Sequence, residues 1–139
     1  MEKKNYVIYI VEDSKIIAEI LKKIISSIPE IEARYFLCGE SMLEEFNQKS
    51  PDMVFLDYYL NVGTGKIAGD ETTMNGDMVF KEIKKIKPNI PVVLLTGMSD
   101  KQKIEELKTL GFCCVIHKNE DDIYTPVIDC VNKYLLNKD

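Results

Sequence analysis

Five residues of this chain are of types that could together move a phosphoryl group: Glu12, Asp13, Asp57, Thr96 and Lys118. Each follows a short apolar run directly. Glu12 and Asp13 follow 7–11, Asp57 follows 53–56, Thr96 follows 91–95, and Lys118 follows 113–117. If the strands bearing them are neighbours, three carboxylates meet in one small cleft. Like charges at that range raise one another's pKa or require a cation. Hard oxygen ligands with access to water suit Mg2+, which is held by few carboxylates and completed by water and phosphate. An aspartate can be the nucleophile that forms an acyl phosphate. A lysine and a metal neutralise charge on the transferring group, and a hydroxyl orients it. Asp57 ends the middle run and is the natural acceptor. Glu12 and Asp13 are then metal ligands, Asp13 directly and Glu12 through water, with Thr96 as the hydroxyl and Lys118 as a mobile charge for phosphate oxygens.

The elements that must position these residues alternate strand and helix five times. The run at 7–11 is β-branched and aromatic, and Ser14 can cap a helix from Lys15 to about Ser27. Ile16, Ile17, Ile20, Leu21, Ile24, Ile25 and Ile28 recur there at helical spacing, and Pro29 stops it. A second strand spans 32–37, and a helix opened by Gly39 and Ser41 carries Met42, Leu43 and Phe46 on one face up to Pro51. A helix over about 77–87 presents Met78, Val79, Ile83 and Ile86. Another, over about 100–110, ends at Gly111, and a last one spans about 121–136. Strands that are continuous apolar runs are buried on both faces. Their alternation with helices predicts an α/β fold with a doubly wound parallel sheet and right-handed crossovers. Ligands of such sheets bind outside the carboxyl ends of the strands, where the five residues lie.

Bulk properties agree. A chain of 139 residues with 45% apolar residues suits one core. The net charge of -5 gives no basic footprint for nucleic acid. No apolar run approaches the roughly eighteen residues of a membrane span, and the N-terminal apolar stretch ends too soon, in two acids, to be a signal peptide. Cys38, Cys113, Cys114 and Cys130 show neither a C-x-x-C motif nor zinc-ligand spacing. They are expected to be buried free thiols in a reducing cytoplasm, with Cys113 and Cys114 on opposite faces of a strand.

The acid pair after the first strand, Leu56-Asp57, Thr96-Gly97 and His117-Lys118, in that order at four strand ends, resemble the response-regulator receiver domains of two-component signalling. The resemblance covers nearly the whole chain. It implies a flavodoxin-like (βα)5 fold with strand order 2-1-3-4-5, and phosphorylation of Asp57 by a histidine kinase or phosphotransfer protein. It implies Mg2+ held by Glu12, Asp13, Asp57 and the backbone carbonyl of Tyr59, with Thr96 and Lys118 contacting phosphate.

The sequence departs from the family in three places. The helix-opening glycine matches Gly76, so residues 61–75 contain an insertion of about eleven residues; loops this long are often functional. Glycines 63, 65 and 69 have no lysine-serine pair to complete a phosphate-binding P-loop. Asn119 replaces the usual proline after the lysine, and Val115 stands at the switch aromatic. Tyr59 and Met98, at the positions that tune dephosphorylation, are neither acid nor amide, which points to a long-lived phosphoryl group. His117 is expected to be an ordinary surface histidine.

The chain ends one helix after Lys118, so a single stand-alone domain over 1–139 is expected. Its output is phosphorylation-dependent binding of a protein through about residues 100–136. Two rivals have other chemistry. One is a phosphorylation-independent interaction module, against which the intact five-residue set argues. The other is a phosphatase of the haloacid-dehalogenase type, which would need an acid where Tyr59 stands.

Overall fold

The computed structural model describes residues 6–58, 76–97, 101–118 and 121–137. In chain order the elements are β1 (Tyr6–Val11), α1 (Lys15–Ser26), β2 (Ile31–Phe36), α2 (Gly39–Gln48), β3 (Met53–Asp57), α3 (Gly76–Ile86), β4 (Val92–Thr96), α4 (Lys101–Lys108), β5 (Cys114–His117) and α5 (Tyr124–Tyr134). The strands are all parallel, in the order β2-β1-β3-β4-β5. This is the expected flavodoxin-like topology. Every residue of β3 and β4 is buried, because helices cover both faces of the central strands.

Alternate side chains of each strand feed two cores. Tyr9, Val54, Leu56, Val92 and Leu94 pack with Met42 and Phe46 of α2, Val79, Phe80 and Ile83 of α3, and Leu107 of α4. Ile8, Ile10, Met53, Phe55, Val93 and Leu95 pack with Leu21 and Ile25 of α1 and with Val127 and Val131 of α5. The helix starts have local causes. The Ser14 hydroxyl accepts from the Ile17 N–H at 3.4 Å and so caps α1 as its sequence predicts. At α5 the Asp122 carboxylate accepts from the Thr125 N–H at 3.1 Å, so the helix begins at Tyr124, later than the expected 121. Pro126 then falls in the first turn, where its missing N–H is not needed.

The apolar stripes were wider than the faces they bury. On α1, Ala18, Leu21 and Ile25 are buried, whereas Ile16 is 73% and Ile20 44% exposed. On α3, the expected inward residues Met78 and Ile86 are exposed, and Phe80 takes the inward place, stacked on Phe112 with ring centroids 4.2 Å apart. A helix lying on a sheet buries only one stripe, and helical periodicity alone does not say which edge of a broad apolar arc is left out.

The cysteines need a correction. Cys114 of β5 and Cys130 of α5 form a disulfide, and among the described residues only Cys38 and Cys113 are free. The partners are 16 residues apart and meet because α5 folds back over β5, a juxtaposition that no local motif encodes. The strand begins at Cys114, so Cys113 does not alternate with it and both pack against the α1–α5 core.

The opening of α3 is pinned to the end of β3. The Gly76 N–H donates to the Tyr58 carbonyl at 3.0 Å, and a Cβ at residue 76 would collide with that same carbonyl. Gly76 therefore is the helix-opening glycine, while the insertion at 61–75 lies outside the described residues. The collision is with backbone, which cannot swing aside. Gly76→Ala is therefore expected to lower the unfolding free energy by roughly 1–3 kcal/mol, the usual range for overpacking. Ile16→Ala, at an exposed position, should stay within about 0.5 kcal/mol of the parent. Urea unfolding followed by circular dichroism checks both, and equal midpoints for the two variants would contradict the pinning.

Candidate functional site

Strand register brings the chemical residues together. Val11 lies opposite Leu56, so Glu12 and Asp57, one residue further on each chain, stand at adjacent strand ends. Asp57 lies opposite Leu95, which puts Thr96 one step beyond it on the next strand. Thr96 lies opposite His117, and Lys118 follows, its N–H donating to the Thr96 carbonyl at 2.8 Å. Parallel strands all present their carboxyl ends to the same edge of the sheet, so residues scattered over more than a hundred positions meet in one cleft.

Glu12, Asp57 and Thr96 are the buried polar residues of the cleft, at 0%, 2% and 1% exposure. Lys118 joins the acids from above: its Nζ is 2.9 Å from Glu12 Oε1 and 3.2 Å from Asp57 Oδ2. The other oxygen of Glu12 accepts from the Ser14 N–H at 3.0 Å. One short segment thus caps α1 through the Ser14 side chain and holds Glu12 through its backbone. Sequence reasoning placed Lys118 as a mobile charge. The structure instead buries most of its side chain between two carboxylates: from the end of the edge strand β5 it reaches past β4 to the ends of β3 and β1. Ser14 was read only as a helix cap, and nothing in its type signals the contact with Glu12.

Glu12, Asp13 and Asp57 each offer a carboxylate oxygen, and these oxygens lie within 4.8 Å of one another. Three oxygen donors at that spacing, two of them on buried residues, fit a small hard divalent cation. The expected fourth ligand, the Tyr59 carbonyl, lies outside the described residues, as do Met98 and Asn119. Val115 packs against the core on the α3 side, and His117 is half-buried beside it.

The electrostatics follow from burial. Asp57 is pushed up to about 7 by desolvation and then by the Glu12 charge, with Lys118 opposing both. Glu12 is raised too, chiefly by burial, against the pull of the Ser14 N–H and Lys118. Burial lowers Lys118, but the hydrogen bond to Glu12 and the Asp57 charge outweigh it, and the ammonium is held above its ordinary value. One lysine between two buried carboxylates leaves an excess of negative charge, the condition under which a cation is taken up.

An open parallel α/β sheet with an acid cluster, a buried hydroxyl and an ion-paired lysine at its carboxyl edge defines a class: a doubly wound protein built to handle a charged group at a strand-end carboxylate. Comparison makes the class specific. Residues 8–125 match the response regulator receiver domain family, and the chain belongs to it. It is therefore a signalling domain of the two-component type. The chain is similar to the receiver domain of NtrX from Brucella abortus, at 25% identity and a TM-score of 0.76, over 94% of this chain and 99% of that one. A longer NtrX chain in complex with ATP aligns at 25% identity and a TM-score of 0.78 over 96% of this chain, which spans only 27% of its length. The fold is also that of chemotaxis protein CheY4 from Vibrio cholerae, at 17% identity and a TM-score of 0.75, covering 94% and 98% of the two chains. The Mn(2+)-bound response regulator Rcp1 shares it at 22% identity and a TM-score of 0.74, covering 94% of each. No curated protein matches the chain in sequence. Among the described residues no helix is long and apolar enough to cross a membrane.

A pH dependence follows. A carboxyl whose folded pKa is raised favours the folded state while it is protonated; that advantage is full below its ordinary value of 3.8 and is lost as pH rises through about 7. Glu12 acts in the same direction. Without divalent metal, the melting temperature should fall between about pH 4 and 7, and Asp57→Asn should flatten part of that slope. Thermal unfolding in a chelator at stepped pH measures it, and an unchanged slope in the variant would count against a strained Asp57.

Proposed function

We propose that this chain acts as a response regulator, in the cytoplasm, whose Asp57 accepts a phosphoryl group from a histidine kinase or phosphotransfer protein. The single observation that carries the reading is Asp57 itself: a buried carboxylate at the central strand end, with Lys118 Nζ at 3.2 Å and two further acids beside it. An Asp57 oxygen attacks phosphorus, the bond from phosphorus to the donor's imidazole nitrogen breaks, and that nitrogen keeps the electron pair and takes up a proton. Lys118 is near enough to follow the charge from the carboxylate to the phosphoryl oxygens, which loosens its hold on Glu12. Thr96, at the neighbouring strand end, is assigned to orient those oxygens.

Mg2+ is the assigned cofactor, held by Glu12, Asp13, Asp57 and the Tyr59 carbonyl, and when bound it supplies positive charge against the phosphoryl oxygens and keeps Asp57 ionised. The Mn(2+)-bound form of Rcp1 supports a divalent cation in this fold. Phosphorylation then shifts a two-state equilibrium that a downstream protein reads through about residues 100–136. With Tyr59 and Met98 at the tuning positions, the phosphoryl group is assigned a long lifetime. An autodephosphorylation half-life of seconds would remove that assignment.

The test is intact-mass spectrometry after incubation with acetyl phosphate and Mg2+, repeated with a panel of histidine kinases. One phosphoryl adduct is expected on the parent and none on Asp57→Asn or in chelator. Lys118→Ala should slow uptake by roughly 10²-fold, the scale of losing one electrostatic stabiliser. An adduct that survives Asp57→Asn, or none under any donor, would overturn the reading.

A further inference from the structure

We propose that Cys114 and Cys130 are a reversible thiol–disulfide switch that fastens α5 to β5 and thereby governs the mobility of the turn carrying Lys118. Three observations carry it. First, the bond joins the first residue of β5 to the middle of α5, so it closes a covalent ring over residues 114–130. Lys118 lies inside that ring and reaches across the cleft to Glu12 at 2.9 Å and Asp57 at 3.2 Å. Second, β5 is the edge strand, only four residues long and paired on one side alone, so besides the packing of Ile116 with Val127 and Val131 the disulfide is its covalent tie to the last helix. Third, one end of the bond belongs to a residue at the surface. Cys114 is partly exposed and lines, with Lys108, Phe112, Cys113, Val115 and His117, an open cavity of about 450 Å³ at the sheet edge. Cys130 is 7% exposed and sits in the core between α1 and α5.

This asymmetry sets the order of the chemistry. A thiolate of a dithiol reductant attacks Cys114 Sγ from the cavity, and the bond between the two sulfurs breaks. The electron pair leaves with Cys130, which takes a proton. The second thiol of the reductant then displaces Cys114 from the mixed disulfide, leaving two protein thiols and an oxidised reductant, two electrons and two protons having passed to the cystine. A disulfide oxidant runs the sequence in reverse. Neighbouring Cys113 does not interfere, since burial pushes its thiol up to about 11 and leaves it protonated, and the attacking species must be a thiolate. Disulfides in reducing compartments are transient and redox-sensing, which is the behaviour assigned to this pair.

The switch stands apart from phosphoryl transfer, and so does its test. The full chain is equilibrated in glutathione buffers of stepped ratio, alkylated after denaturation, and mapped by mass spectrometry. Cys38 and Cys113 should alkylate throughout. Cys114 and Cys130 should appear together in one two-electron transition that reverses when oxidised glutathione is restored. Hydrogen–deuterium exchange of the oxidised and reduced chains should show several-fold faster exchange over 118–134 on reduction, with β1 and β3 unchanged. Cys130→Ser should exchange like the reduced parent and ignore reductant, with Cys114→Ser as a second variant if the first does not fold. Cys114 and Cys130 alkylating at every ratio would overturn the proposal. So would identical exchange in the two redox states, or reduction that speeds exchange across the whole sheet, the mark of a purely structural bond.

Discussion

The arrangement depends on one electrostatic problem: two carboxylates, Glu12 and Asp57, are almost completely removed from water at adjacent strand ends. Burying one such charge is costly, and burying two together is worse. Lys118 answers part of it, with its ammonium shared between them, and the Ser14 N–H answers another part at Glu12. What is left over is negative. The cleft therefore keeps an appetite for positive charge, and a chain that spends stability on such a cluster is built for a ligand rather than for rigidity.

The scaffold exists to hold that problem in place. β3 and β4 are buried throughout because one core, under α2, α3 and α4, grips their even-numbered side chains and another, under α1 and α5, grips the odd-numbered ones. Fixed register then sets where each strand runs out. A slip of one residue would turn Asp57 toward the other face and break its meeting with Lys118. Near the site the chain uses contacts of double purpose. Ser14 caps α1 and holds Glu12, Gly76 opens α3 and locks Tyr58 beside the acceptor strand, and Lys118 hydrogen-bonds Thr96 through its backbone while its side chain crosses the cleft.

The parts legible in the sequence were those with local causes. Apolar runs closed by Asp57, Thr96 and Lys118, the Ser14 cap and the glycine at 76 each carry their signal within a few residues, and the structure places them as those signals imply. The errors share a cause. Ile16, Ile20, Met78 and Ile86 belong to apolar arcs whose outer edge is set by how a helix lies on the sheet. The Cys114–Cys130 bond depends on α5 returning over β5, which residue types do not announce. The late start of α5 turned on whether Asp122 or an earlier residue takes the capping role.

By itself the sequence determined the alternation of strand and helix, the α/β class and the five residues at the strand ends, because each follows from period, breaker and residue chemistry along a short stretch. Tertiary structure decided what those residues do to one another. The 2.9 Å and 3.2 Å reach of Lys118 joins positions 12, 57 and 118, and the pKa shifts arise from burial that exists only when both cores close. Charge in a protein is governed by neighbours and by the exclusion of water, and neither is a property of position along the chain.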